Sequence, residues 1–224
     1  MADTSRPRRA RRQADKAARR QELLDAAITL FEEAGGEMPS VDQVARRAGL
    51  AKGTVYLYFG AKEEIFLALL AERINDWVSA VIHAIENTFR NPPESGPDMQ
   101  AMVDEIVADL ADRHTMLLLA MKSHGTLDQQ LDAEAVRTFK EATRMELRRI
   151  GQVVEASFPN MQRGDGAELI LRIYAFVVGI WQLSRVPKSV RELDNPSEFD
   201  LSRPDFEISV SLGLVAMFKE SLGR

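Results

Sequence analysis

The stretch SVDQVARRAGLAKGTVYLYFGAK, residues 40–62, reads as two short helices joined by a tight turn and followed by the start of a third. Ser40 with Gln43 makes a capping box, so the first helix begins at Val41. Val44, Ala45 and Ala48 lay one apolar stripe along it, while Arg46 and Arg47 fall off the stripe, toward solvent or an anion. Gly49 sits where a helix ends on a left-handed residue, a conformation that costs glycine nothing sterically. Ala45 is small enough for a second helix to cross close above it. Lys52 to Phe59 supplies that helix, with Val55 and Phe59 pointing into a small core. The small residue, the glycine and the apolar anchors Val44, Leu50 and Val55 together describe a helix-turn-helix.

At these residues the chain resembles the DNA-binding domain of the tetracycline-repressor (TetR) family of bacterial transcriptional regulators. The matching parts are the apolar helix Leu23 to Ala34, Val44-Ala45, Ala48-Gly49, Lys52-Gly53-Thr54, Tyr56, Phe59 and Lys62-Glu63. The resemblance implies an all-α fold of about nine helices. It also implies a homodimer that binds a palindromic operator in double-stranded DNA, acts as a repressor and is released by a small-molecule effector. Thr54 and Tyr56 would contact DNA, Tyr58 would take a phosphate-contacting position often held by histidine, and Lys62 would meet the backbone. Ser40, Gln43, Arg46, Lys52 and Gly53 complete the expected contact set around the turn, with free N–H groups at the helix start as a phosphate seat. Leu57 stands where relatives often have a second tyrosine; it either reads a thymine methyl or packs, and the sequence does not choose. Ala51 and Ala61 replace the serine caps common in the family, each worth about 1 kcal/mol.

Charge is distributed unevenly. The net charge is -5, yet residues 1–62 hold 12 Lys and Arg against 8 Asp and Glu, and the remainder holds 17 against 26. Phosphate attraction therefore belongs to the front of the chain, and the acidic remainder keeps off DNA. At 224 residues, 45% hydrophobic and 28% charged, the chain can bury a real core in one large domain or two small ones. The absence of cysteine excludes disulfides, thiolate metal sites and cysteine nucleophiles. No secretory apolar segment follows the basic start and no apolar run reaches membrane-span length, so a cytoplasmic protein without a membrane partner is expected.

Residues 1–15, with Arg9 and Arg12 among their arginines, read as a flexible basic arm lying along phosphates or in an adjacent minor groove. The DNA-binding domain is expected over 16–62, its first helix running from near Gln13 to Ala34 and stopped by Gly35-Gly36. A helical ligand-binding and dimerisation domain is expected over 63–224. Its leading helix, Lys62 to Phe89, carries the stripe Phe66, Leu70, Ile74, Trp77, Val81, Ile85 and Phe89 and links the two domains. Helices follow over 98–113, 114–124 and 129–158, the last with Met145 among its buried positions, and no stretch alternates like a strand.

Residues 167–183 are apolar nearly all round, yet at about sixteen residues with Arg172 inside they are too short and charged to span a membrane. The final helix, from Phe206, carries two stripes. Such surplus faces call for a second chain, so Ile173, Val177, Ile180, Leu212 and Val215 are expected in a four-helix dimer interface, with Gly179 permitting close approach. The proline-bearing connection 185–205 is unusually long.

His114 and His124 share no ligand motif, and no nucleophile motif is present, so no metal, no cofactor and no enzyme activity is expected. By resemblance, Trp77, Met121, Phe139, Tyr174 and Trp181 lie on the helices that line the family's cavity. This apolar, aromatic set suits a hydrophobic or aromatic effector. Two rival readings stand beside this one: a sequence-blind DNA-binding protein with steep salt dependence, and a helical ligand-binding or enzymatic bundle with an incidental basic N-terminus.

Overall fold

Glycine and proline punctuate the chain into helices. The computed structural model describes residues 5–90, 92–123, 131–185 and 203–223. Among them are nine helices and no strand: α1 Ser5–Glu33, α2 Val41–Arg47, α3 Lys52–Val55, α4 Lys62–Arg90, α5 Met99–Ala111, α6 His114–Lys122, α7 Ala133–Ser157, α8 Asp165–Ser184 and α9 Phe206–Gly223. They form two compact units, Met1–Ala71 with Lys122–Phe139, and Glu72–Met121 with Lys140–Arg224. The division falls inside α4 rather than at its first residue. Ile65, Phe66, Leu67, Leu69 and Leu70 are all buried in the first unit, where the Phe66 ring meets Phe31 at 5.6 Å.

In the first unit, α1 begins at Ser5, so residues 5–15 of the stretch expected as a flexible arm are helical. Its Arg, Ala, Gln and Lys residues are strong helix formers, and Pro7 falls in the first turn, where a backbone N–H has no intrahelical acceptor to lose. The helix closes as expected at the glycine pair. The Gly36 N–H donates to the Phe31 carbonyl at 2.8 Å and the Gly35 N–H to Glu32 at 3.0 Å, with Gly35 left-handed at φ 62°. Leu23, Leu24, Ala27 and Phe31 of α1 join Val44, Ala45, Val55 and Phe59 among its buried residues.

The second unit is built around Phe158, which stacks on Phe218 at 5.7 Å and tilts against Phe89 at 5.0 Å. α4 and α7 are tied by Asn75 donating to Glu146 at 3.0 Å and Arg149 donating to the Ser79 hydroxyl at 2.5 Å. α5 and α9 are tied through the Ser211 hydroxyl, which donates to Asp104 at 3.0 Å and accepts from Gln100 at 3.1 Å. Two glycines bring helices together. A Cβ on Gly166 would stand 2.2 Å from the Gly151 carbonyl oxygen, and one on Gly213 would stand 2.3 Å from the Phe176 ring. Met145, expected inside, is 67% exposed, because α7 turns Ile150 and Val154 inward instead.

The buried stripe of α8 is Leu169, Ile170, Ile173, Val177 and Trp181. Ile173 and Val177 are 4% and 3% exposed within the single chain, which corrects their expected place at an intersubunit face. An all-apolar helix gives no sign of which stripe turns inward; packing decides it. At twenty residues α8 is also longer than read from the sequence, and by length and composition alone it could cross a membrane. Its buried stripe packs as core, and Glu168 and Arg172 face each other across one turn at 3.9 Å.

Candidate nucleic-acid interface

The helix-turn-helix is fixed from both ends. Ser40 caps α2, its hydroxyl accepting from the Gln43 N–H at 3.3 Å while the Gln43 side chain accepts from the Ser40 N–H at 2.8 Å. The Ser40 hydroxyl also donates to Gln43 at 2.9 Å, so both side chains are engaged with each other. α2 ends in a complete Schellman motif. The Leu50 N–H donates to the Ala45 carbonyl at 2.9 Å, the Gly49 N–H to Arg46 at 3.1 Å, and Gly49 takes φ 68°.

The second helix is shorter than the sequence suggests. α3 keeps helical form only over Lys52–Val55, and Tyr56 to Tyr58 form a turn. The Leu57 N–H donates to Thr54 at 3.1 Å and the Tyr58 N–H to Val55 at 2.9 Å, the tighter three-residue pattern. Ala51 provides no side-chain cap, and four residues give almost no dipole to hold a phosphate, so the expected seat at the helix start loses its basis. The turn is nevertheless anchored, since Val55 and Phe59 are 1% and 4% exposed. With those two inside, Lys52, Gly53, Tyr56 and Leu57 are thrown outward, and Thr54 and Tyr58 are half-buried.

Several supports were not legible as motifs. The Arg47 guanidinium reaches Glu33 with two hydrogen bonds, at 3.0 and 2.5 Å, pinning α2 to the end of α1. That hydrogen bond holds the Glu33 carboxyl below its ordinary range and the guanidinium above its own. The Arg20 guanidinium lies 5.1 Å over the Phe59 ring. At α4, where Ala61 lacks a hydroxyl, the Glu64 side chain accepts instead from the N–H of Gly60, the residue before the cap, at 2.9 Å and ties the entering chain to the first turn. Arg46 pairs with Asp42 at 2.8 Å on the exposed face of α2, and the Lys62 ammonium lies 3.7 Å from Glu63. Arg9 and Arg12 fall within α1, and their side chains lie outside the described residues.

The residues expected to line a ligand cavity divide between the units: Phe139 belongs to the first, and Trp77, Met121, Tyr174 and Trp181 to the second. Trp181 is 7% exposed and meets His114 and Phe206 edge-on at 5.1 and 5.0 Å, with the Arg185 guanidinium 5.8 Å from its ring. The indole N–H groups of both Trp77 and Trp181 are buried without a hydrogen-bond partner. A separate open groove of about 390 Å³ between α5 and α9 is lined by Asp104, Val107, Glu207, Ile208 and Leu212. Among the described residues no cluster of His, Asp or Glu can hold a metal ion; His124 and most of the 185–205 connection lie outside them.

The chain also matches known families along most of its length. Residues 23–69 match the family model described as bacterial regulatory proteins, tetR family, and residues 71–219 match tetracyclin repressor-like, C-terminal domain. The chain belongs to the TetR family. One relative, the HTH-type transcriptional activator FasR of Mycolicibacterium smegmatis, is 34% identical over 91 residues, which are 41% of this chain and 42% of FasR. The chain thus spans under half the length of such curated relatives. Among solved structures, a TetR-family regulator from Mesorhizobium loti superposes with a TM-score of 0.58 at 16% identity, covering 92% of this chain and 96% of that one. FadR from Bacillus subtilis, solved with stearoyl-CoA, superposes with a TM-score of 0.52 at 18% identity, covering 88% and 98%. At such identities these two likenesses establish the TetR fold.

Proposed function

We propose that this TetR-family chain is a homodimeric, cytoplasmic repressor that binds a palindromic operator and is released by a small, largely apolar effector. The observation that carries the reading is the outward set Lys52, Gly53, Tyr56 and Leu57 on a turn locked by buried Val55 and Phe59. Such a surface offers donors to phosphates and base edges from a backbone already held in place. Thr54, Tyr58, Lys62 and Arg46 extend it, whereas Ser40 and Gln43 serve the cap.

Homodimerisation is supported by the apolar residues that the second unit leaves exposed. Leu171 and Leu183 on α8 are 54% and 62% exposed, and Ile208 and Leu212 on α9 are 62% and 69% exposed. Gly179, with nothing within 4 Å of a built Cβ, leaves room for close approach on α8, and half-buried Ile180 and Val215 border the same face. Two such faces make a self-complementary four-helix contact. Two recognition turns would then meet half-sites about 34–36 Å apart or a multiple of that.

The unpartnered indole N–H groups of Trp77 and Trp181 support an effector that brings a hydrogen-bond acceptor into apolar surroundings, since a buried donor left unpaired is costly. Because FadR of Bacillus subtilis was solved with stearoyl-CoA, long-chain acyl thioesters are the first compounds to try. An effector acts only if it binds the DNA-competent and released states with different affinity. α4, whose first turns belong to one unit and the rest to the other, is the element that would carry the change.

The test is binding to the DNA flanking the chain's own coding region against length-matched random DNA at about 150 mM salt, where non-specific binding is weak. A preference of about a thousandfold, abolished when the palindrome is scrambled, is the expected result. Equal affinity for both DNAs would refute the reading in favour of sequence-blind binding.

A further inference from the structure

Leu57 is the residue whose role the sequence leaves open, and the structure closes one of its two options. It does not pack: at 73% exposure it is the most exposed large apolar side chain among the described residues. Its position is nevertheless rigid, because its N–H is bonded to Thr54 and the buried Val55 and Phe59 fix the rotation of the turn on either side. The other strongly exposed aliphatic and methionine side chains, Met145, Leu171, Leu183, Ile208 and Leu212, all belong to the second unit. Among the described residues of the first unit, Leu57 has only Tyr56 for company as an exposed large apolar residue, and Tyr56 carries a hydroxyl.

An apolar side chain held out from a recognition turn and flanked by two phenol hydroxyls has one natural apolar counterpart in a major groove. A-form and phosphate surfaces offer none; the C5 methyl of thymine does, and cytosine, adenine and guanine lack it. We propose that Leu57 is a specificity-determining residue that selects thymine at one position of each half-site by burying that methyl group. This rests on the regulatory reading above.

The probe is the duplex that the wild-type chain selects from a random-sequence library, with each thymine replaced singly by deoxyuridine, which removes the methyl and leaves the hydrogen-bonding edge unchanged. At one thymine per half-site, replacement should weaken wild-type binding about fourfold, the equivalent of ~0.8 kcal/mol for one buried methyl-sized group. Leu57→Ala, which removes the contact from both half-sites of the dimer, should bind the unmodified duplex more weakly by about the square of that factor, roughly sixteenfold, and be indifferent to deoxyuridine at that same position, while staying sensitive elsewhere. Leu57→Met, which keeps apolar reach, should restore the sensitivity. An exposed side chain can be truncated without loss of the fold, and an unchanged helical circular dichroism spectrum checks this. Equal sensitivity of wild type and Leu57→Ala at every thymine, or no sensitivity in either, overturns the inference while leaving the regulator intact. If the wild type selects no duplex at all, the regulatory reading falls and takes this inference with it.

Discussion

Gly166→Ala sets two effects of opposite sign against each other. Helix propensity favours alanine over glycine by about 1 kcal/mol in a helix interior, and by less at the second residue of α8. The packing term is larger. A Cβ at this position would lie 2.2 Å from the Gly151 carbonyl oxygen, well inside the 3.0 Å below which such contacts are essentially never seen. The obstacle is backbone, so α7 and α8 must move apart, an overpacking cost of about 1–3 kcal/mol. The same Cβ would stand 3.0 Å from the Glu155 Cγ. The Glu155 carboxylate accepts from the Gly164 N–H at 2.8 Å and the Gly166 N–H at 3.2 Å, so displacing it weakens the start of α8 further. Charge-assisted bonds of this kind contribute about 1.5–3 kcal/mol each when intact.

The net expectation for Gly166→Ala is destabilisation by about 2 kcal/mol, which in a chain of this size lowers the melting midpoint by about 4–8 °C. Thermal melts over a range of protein concentrations separate the protomer from any dimer contribution. Gly179→Ala is the control, because nothing lies within 4 Å of its built Cβ and only propensity acts on the protomer. A Gly166→Ala midpoint at or above that of the wild type would refute the close α7–α8 approach and the reasoning built on it.

Four further outcomes follow from the same contacts. Tyr56→Ala and Lys52→Ala should each weaken operator binding several-fold without changing the helical spectrum, and unchanged binding would remove them from the interface. Leu212→Glu should leave a folded monomer in sedimentation, whereas a charge at Val177 should unfold the protomer, since that side chain is 3% exposed; an intact Leu212→Glu dimer would sink the proposed face. The Glu33 carboxyl is held below its ordinary 4.5, so the folded chain binds that proton less readily than the unfolded one. Its pairing with Arg47 therefore persists throughout the range above 4.5 and is lost as pH falls through the lower folded value, and an NMR midpoint of 4.5 or higher would dissolve the pair. Trp181→Phe keeps an aromatic ring, though a smaller one, and removes the orphaned donor, so it should weaken effector release of DNA while leaving operator affinity unchanged; equal release would detach Trp181 from the effector.

The capping box at Ser40, the glycine terminators at Gly35 and Gly49 and the inward pair Val55 and Phe59 were legible in the sequence because each depends on residues close along the chain. Local chemistry of that kind determines where helices start and stop, and here it also marked the family. What lay beyond its reach depended on which faces meet. α8 is apolar on nearly every side, so nothing local distinguished the core residues Ile173 and Val177 from the exposed Leu171 and Leu183. The Arg47–Glu33 and Arg20–Phe59 contacts join residues on different elements, which no local pattern records. The sequence by itself determined the capped and glycine-terminated helix ends and the family; the tertiary structure alone decided which side of each helix is buried, because burial is a property of the neighbours a residue meets in space.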